Sequence, residues 1–420
     1  MNAKERVLAA INHKQPDRVP VDLGSTSVTG INASTLYKLR KALNLCEKEI
    51  HIQQLTQMLG VVDEDVRQKL GVDVIGLFNP SSFSGGDGGP TQPFVMSDGT
   101  PVRIQANIAW DRIRDGGCVI YPQGDPSAKP SLYMPTDGFF FDALDRAEPF
   151  DEDALSPVED FQNTFFRVGD KEAEYYARRS KELAESGDYA IIGALNCGSL
   201  GDVALLPGRD EKEPRGIRRM DDWLAAHILY PDYIKAVFRY QTDIALQNLR
   251  LYREAVGNRI QIIQVSGTDF GTQNGPMFRL ELFRELYKPF YREINDWIHR
   301  HTEWKTFFHC CGGIADFIED FIEMGVDILN PVQLSAAGMD AAKLKQRFGG
   351  RIVFWGGGVD TQKTLPFGTT EEVRDEVLAR LAILSGGGGY VFNGIHNIQA
   401  KTPVENLIAV FDAVREFNGV

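Results

Sequence analysis

The 420-residue sequence is poor in cysteine, in long apolar runs and in positive charge. Five cysteines in a chain of this length cannot build a disulfide framework. No run of about 18 apolar residues occurs, so no transmembrane helix is expected. Lysine and arginine number 45 against 58 aspartates and glutamates, a net charge of −13. Such a balance lacks the basic footprint that nucleic acid or an anionic membrane demands. Residues 1–19 mix charged and apolar side chains without the apolar core of a signal peptide. They read as an amphipathic helix of a cytoplasmic protein.

Charged residues make up 25% and the hydrophobic set 43%, the profile of a soluble globular chain. Short apolar runs bounded by Gly, Pro or Asn fall at 18–23, 72–78, 190–196, 260–265, 305–309, 327–332, 352–355 and 389–392. Helical spacing fills 232–254, 281–299, 314–324, 341–347, 370–384 and 403–416. Eight strands alternating with helices predict an α/β chain folded as one (β/α)8 TIM barrel over residues 1–420. Residues 80–159 break the alternation and read as a β-rich insertion after the second strand. Pro80, Ser81, Ser82 and the run from Gly85 to Pro90 open it as a turn-rich stretch. Residues 101–123 alternate like a hairpin turning at Asp115, Gly116 and Gly117. The insertion reads as a subdomain with its own small core, as a lid over the barrel mouth, or as both at once.

Catalytic groups of such barrels sit at the C-terminal ends of strands, and polar residues concentrate at those places here. The candidates are Asp22, Asn79, Asn196, Asp269 with Gln273, His309 with Cys311, Asn330 with Gln333, Asp360, and His396 with Asn397. Residues i and i+2 of a strand share a face, so His309 and Cys311 point together, with Phe307, while Cys310 points toward the helix layer. A His and a Cys on one face supply two zinc ligands, and His396 after the last strand is the best-placed third. The alternative is a polar mouth with a substrate-binding His309 and two structural cysteines. Asp269 is either a general acid/base or a turn-forming residue. Asp22, Asn79, Asn196, Gln273, Asn330, Gln333, Asp360 and Asn397 are assigned to substrate binding. Gly356, Gly357 and Gly358 allow close approach of a flat or phosphorylated ligand. The only strand lysine is Lys305, at the wrong end for Schiff-base chemistry.

Several stretches resemble the uroporphyrinogen decarboxylase superfamily. They are Arg6 to Ile11 with Pro16 to Asp22, Asp269 to Gln273, Phe308 to Gly312, Gly325 to Gln333, Phe354 to Gln362, and His396 to Gln399. The resemblance spans nearly the whole chain and implies a (β/α)8 fold. One branch of the superfamily decarboxylates a polycarboxylate porphyrinogen without metal, using a cleft Asp and an arginine-rich N-terminal motif. This chain has no arginine between Arg18 and Arg40. Another branch passes methyl groups to or from a corrinoid protein and carries zinc on a His-x-Cys motif plus a distant later Cys. His309 and Cys311 match the first part; no cysteine follows Cys311, and His396 is the expected substitute.

The resemblance therefore implies a zinc-assisted methyltransferase, the demethylase component that takes a methyl group from a small O- or N-methylated substrate. Asp269 and His309 would be catalytic, and the corrinoid would be carried by a partner protein. A metal-independent decarboxylase acting on a carboxylic acid is the alternative. A non-catalytic scaffold fits the dense polar strand ends poorly. Among the cysteines, Cys311 is the one expected to carry chemistry and the other four to pack.

Overall fold

The computed structural model describes residues 1–80 and 89–420. The turn-rich stretch from Ser81 to Gly88 lies outside the described residues. At the centre is a curled, all-parallel sheet of seven strands: Val74–Leu77, Ala190–Ala194, Ile262–Ser266, Lys305–His309, Ile328–Asn330, Val353–Trp355 and Tyr390–Val391. Neighbours in the sheet are neighbours in sequence order, each reached through helical or loop connections. This α/β arrangement is consistent with a TIM-like barrel.

The expected first strand at 18–23 is a correction. It is reduced to a single parallel bridge between Val21 and Phe392. Pro20 has no N–H, and the N–H groups of Val19 and Val21 donate to the side chains of Asn418 and Asp73, which leaves too few free backbone groups for a ladder. The segment still joins the two edges of the sheet. Asp22 N–H donates to Phe392 O at 2.9 Å, Phe392 N–H to Pro20 O at 2.8 Å, and Asp73 N–H to Val21 O at 2.8 Å.

Strand parity sorts the side chains. Val74, Ile192, Ile262, Phe307, Ile328, Val353, Trp355 and Val391 pack together as an inner cluster. Val7, Ala10 and Ile11 join it from the helix Ala3–Ile11. That helix starts on a capping box between Asn2 and Glu5. It lies where the strands begin: Lys4 N–H donates to Asp188 O and Gly389 N–H to Ala10 O. An apolar floor thus closes one end and leaves the C-terminal strand ends for polar groups. The opposite parity, Phe308, Leu329 and Phe354, packs against the helix layer.

Helix 370–384 is Thr370–Leu384 as expected, and three others hold with small shifts: 232–254 is Pro231–Val256, 341–347 is Ala341–Phe348 and 403–416 is Val404–Asn418. The expected helix 281–299 is broken into Leu280–Leu286 and Lys288–His301. Pro289 cannot donate to a preceding turn but fits the first turn of a new helix.

Two small sheets lie outside the parallel one. Ile50–Gln54 pairs with Leu59–Gly60 and with Pro101–Gln105, which in turn pairs with Thr91–Val95. Trp110–Arg112, Cys118–Ile120, Leu132–Met134 and Asp142–Ala143 form an antiparallel meander. The hairpin expected over 101–123 is therefore split. Its turn at Asp115, Gly116 and Gly117 joins only the meander strands, with Gly116 at φ +86°, while 101–105 belongs to the other sheet. No helix among the described residues is long and apolar enough to cross a membrane.

Candidate metal centre

His309, Cys311 and His396 offer one nitrogen, one sulfur and one nitrogen within 4.8 Å of one another. His309 stands last on its strand, two residues beyond Phe307, so the parity that buries Phe307 in the inner cluster turns the imidazole to the polar end. Its Nε2 lies 3.3 Å from Cys311 Sγ. His396 comes from the loop after the last strand, its ring centroid 5.7 Å from that of His309.

Two asparagines fix both imidazoles. Asn330 is the cross-strand partner of His309. Its Nδ2 donates to Trp355 O at 2.9 Å, so its Oδ1 faces His309 Nδ1, 2.6 Å away. An oxygen acceptor there places the proton on Nδ1 and leaves Nε2 a bare lone pair. Asn397 repeats the device. Its Nδ2 donates to Ser27 O at 3.1 Å and Gln57 Oε1 at 2.5 Å, and its Oδ1 lies 3.0 Å from His396 Nδ1. Both Nε2 atoms are thus left as ligand atoms, the arrangement that metal-binding histidines require.

Burial, assisted by the neighbouring His309, holds the His396 imidazole down to about 4, so it is neutral near pH 7. Burial and then the Asp269 carboxylate push the Cys311 thiol well above its ordinary range. A cation would reverse that preference, and its binding would release the thiol proton. The donor set, with its outer partners in place, fits a metal ion.

Asp269 flanks the group. Its Oδ1 accepts from Cys311 N–H at 2.6 Å and lies 3.9 Å from His309 Nε2. Cys310, one residue along, is fully buried among aromatic side chains and its Sγ accepts from Phe270 N–H at 3.2 Å.

The other candidates fall into distinct places. Gln333 accepts from Gly312 N–H at 2.7 Å and donates to Gln273 at 3.0 Å, and Gln273 donates to Gln362. These amides rim the centre. Asn79, Asn196 and Tyr176 form a closed triangle, with Asn79 donating to Asn196 at 2.5 Å and Tyr176 OH to Asn79 at 2.9 Å. Asp22 is buried below the mouth, accepting from Ser25 N–H and Trp355 Nε1, and burial raises its carboxyl to about 6. Asp360 accepts from Gln362 N–H and Lys363 N–H and so holds its own turn. Neither Asp22 nor Asp360 is among the three candidate ligands.

A cleft of about 240 Å³ opens beside the centre, at the ends of the strands Val74–Leu77, Ala190–Ala194 and Ile262–Ser266. Sequence reasoning found Asn79 there but missed Gln53, Asp202 and Arg209. Burial lifts the Asp202 carboxyl to about 6, with the Asp269 charge adding to it. Tyr176 was missed too, although Tyr176, Ser180 and Leu183 are the buried residues of the helix Asp170–Glu185, at helical spacing.

Residues 213–417 match the family model described as uroporphyrinogen decarboxylase (URO-D). A curated uroporphyrinogen decarboxylase from Psychromonas ingrahamii is 36% identical over 80 residues, 19% of this chain and 22% of that protein. The match thus spans about a fifth of the length of that relative. Among solved structures, a methyltransferase from Methanosarcina mazei superposes with a TM-score of 0.57 at 17% identity, covering 99% of each chain. That likeness is one of fold. The segment that resembles uroporphyrinogen decarboxylase contains Asp269, His309, Cys311 and His396.

Proposed function

We propose that this chain is a methyltransferase that moves a methyl group from a small O- or N-methylated substrate to a corrinoid carried by a partner protein. A zinc ion held by His309, Cys311 and His396 would assist. The observation that carries this reading is the pair of asparagines. Asn330 and Asn397 each hold the Nδ1–H of a histidine, and the two imidazoles and the Cys311 thiol bring ligand atoms within 4.8 Å of one another. Two imidazoles and a thiolate match the donor preference of zinc, and three protein ligands leave the open position of a catalytic site. When bound, zinc supplies Lewis-acid stabilisation of the oxygen or nitrogen that loses its methyl group.

The protein groups do the rest. Asp269 Oδ1 is held by Cys311 N–H, which leaves Oδ2 to hold or deliver a proton at the demethylated atom. Asn79 and Asn196 position the substrate from the cleft side, and Gln273 and Gln333 from the opposite rim. Asp22, Asn330, Asp360 and Asn397 shape the site from behind. We read the seven strands with the 20–22 segment as one (β/α)8 barrel, and residues 80–159 as an insertion shaping the face where a corrinoid domain docks. Arg146 supports that reading by donating to the carbonyls of Gly208 and Glu211, in the loop that borders the cleft. Five free cysteines fit the reducing cytoplasm.

Metal analysis tests the proposal. The purified protein should carry roughly one zinc per chain. His309→Ala, Cys311→Ala and His396→Ala should each lose metal and methyl transfer together. Undiminished methyl transfer by metal-free protein would refute the zinc role. The second reading, a metal-independent decarboxylase of a small carboxylic acid, is favoured by the family match itself. It requires CO2 release without a corrinoid partner. The lack of arginine between Arg18 and Arg40 weighs against a polycarboxylate substrate.

A further inference from the structure

Gln53 is 2% exposed, and neither its Oε1 nor its Nε2 has a hydrogen-bond partner among the described residues. Its neighbour Gln54 is fully engaged: Oε1 accepts from Gln57 N–H at 2.7 Å and Nε2 donates to Thr56. Both line the 240 Å³ cleft. Buried amides with both halves unpaired are rare in folded proteins, because each unmet group keeps its full desolvation penalty. Gln53 arrives from Ile50–Gln54, a strand of one of the two small sheets, so a second element reaches into the ends of the parallel strands.

The cleft borders the loop that carries Asp269: Ser199, Asp202 and Ser266 line it, three residues before Asp269 in the last case. Gly267 N–H donates to Ser199 Oγ at 2.8 Å, and a methyl group placed on Gly267 would sit 3.8 Å from Asp202 Oδ2. Gly267 is two residues from Asp269, whose carboxylate is bonded to Cys311 N–H. A ligand filling the cleft would thus meet both Gln53 and the start of the loop that carries Asp269.

We propose that Gln53 is a specificity-determining residue that receives the non-reacting end of the substrate. The assignment of that end as non-reacting rests on the methyltransferase reading; recognition by Gln53 does not. A primary amide presents a donor and an acceptor side by side. Its complement is an adjacent donor–acceptor pair, the edge shown by a carboxamide or by two neighbouring hydroxyl groups. A carboxylate would leave Oε1 unmet, and an apolar group would leave both atoms unmet. A site built to bond such a group discriminates strongly against analogues that lack it.

The test uses benzamide and catechol as probes, one for each edge, and toluene as the apolar control. Binding is measured by calorimetry on the wild-type protein, Gln53→Leu and Gln53→Met, each also melted without ligand. At least one probe should bind the wild type, which identifies the edge, and both variants should weaken it about tenfold or more. Both variants should melt at the same temperature as the wild type or higher, because the unmet amide is gone. The proposal is overturned if neither probe binds the wild type, if toluene binds as well as they do, or if the variants keep full affinity. It is equally overturned if both variants melt several degrees lower, since Gln53 would then be structural. Probe binding that depends on Gln53 in a protein without methyl transfer would reject the methyltransferase reading and leave the subsite standing.

Discussion

His309 and Asn330 are direct partners across two parallel strands, with the carboxamide oxygen of Asn330 2.6 Å from Nδ1 of His309. Because the Asn330 amide nitrogen is bonded to the Trp355 carbonyl, the asparagine cannot flip without losing both contacts. Asn330→Ala should therefore leave the ligand residues intact yet lower zinc affinity by about 10- to 100-fold. It should also cost about 1–3 kcal/mol of stability through the unpaired imidazole N–H and carbonyl. Chelator competition and urea denaturation read the two effects separately.

Cys310 and Cys311 are adjacent and opposite in role. Cys311→Ser should weaken metal binding by an order of magnitude or more, since a hydroxyl is a poor substitute for thiolate with zinc. Cys310→Ala should leave metal binding unchanged and lower stability by about 1 kcal/mol, because it empties part of an aromatic core. Loss of metal from the Cys310 variant at unchanged fold would show that the strand parity assigned here is wrong.

Much of this centre was legible in the sequence because strand parity is a rigid rule. The run Lys-Thr-Phe-Phe-His ends where the strand ends, and Phe307 and His309 had to share a face. The strand at 18–23 was not legible as a mere bridge, because its apolar pattern is that of a strand while its backbone bonds are limited by Pro20. Asp202 and Arg209 lie in the stretch between 197 and 219, which has neither helical nor alternating spacing, so nothing local marks them as cleft residues. Gln53 follows an alternating Ile-His-Ile-Gln pattern that predicts an outward polar residue. Its burial comes from tertiary packing, which periodicity does not encode.

His227 offers a test of pH dependence away from the ligand residues. Burial holds its imidazole down to about 4, and the neutral ring donates through Nδ1–H to Trp223 O and accepts at Nε2 from Tyr287 OH. Its unfolded counterpart titrates near 6.5. Between those values the unfolded chain binds a proton that the native protein refuses, so stability falls as pH drops from about 6.5 to about 4 and levels off below. The single-site effect is up to roughly 3 kcal/mol. His227→Gln should flatten this part of the profile when denaturation midpoints are compared with the wild type at pH 7 and pH 4.5. An unchanged slope would mean that His227 is protonated in the folded protein.

The loop that carries Asp202 and Arg209 to the cleft is anchored by Arg218. Its buried guanidinium donates to Glu211 at 3.0 Å, to Thr164 at 3.1 Å, to Leu206 O at 3.3 Å and to Asp160 O at 2.5 Å. Both charged side chains are almost wholly removed from solvent. Removing one partner of such a pair leaves an uncompensated buried charge, which costs about 3–5 kcal/mol. Arg218→Met should therefore destabilise the protein by that amount, and the double change Arg218→Met with Glu211→Gln by clearly less. Because the same guanidinium ties residues 160, 164, 206 and 211 together, the single variant should also raise KM more than it lowers kcat. The cleft wall would be displaced while His309, Cys311 and His396, on other loops, keep their geometry. Thermal melts combined with the KM–kcat split check both halves, and a fall in kcat alone would tie the loop to the chemical step instead.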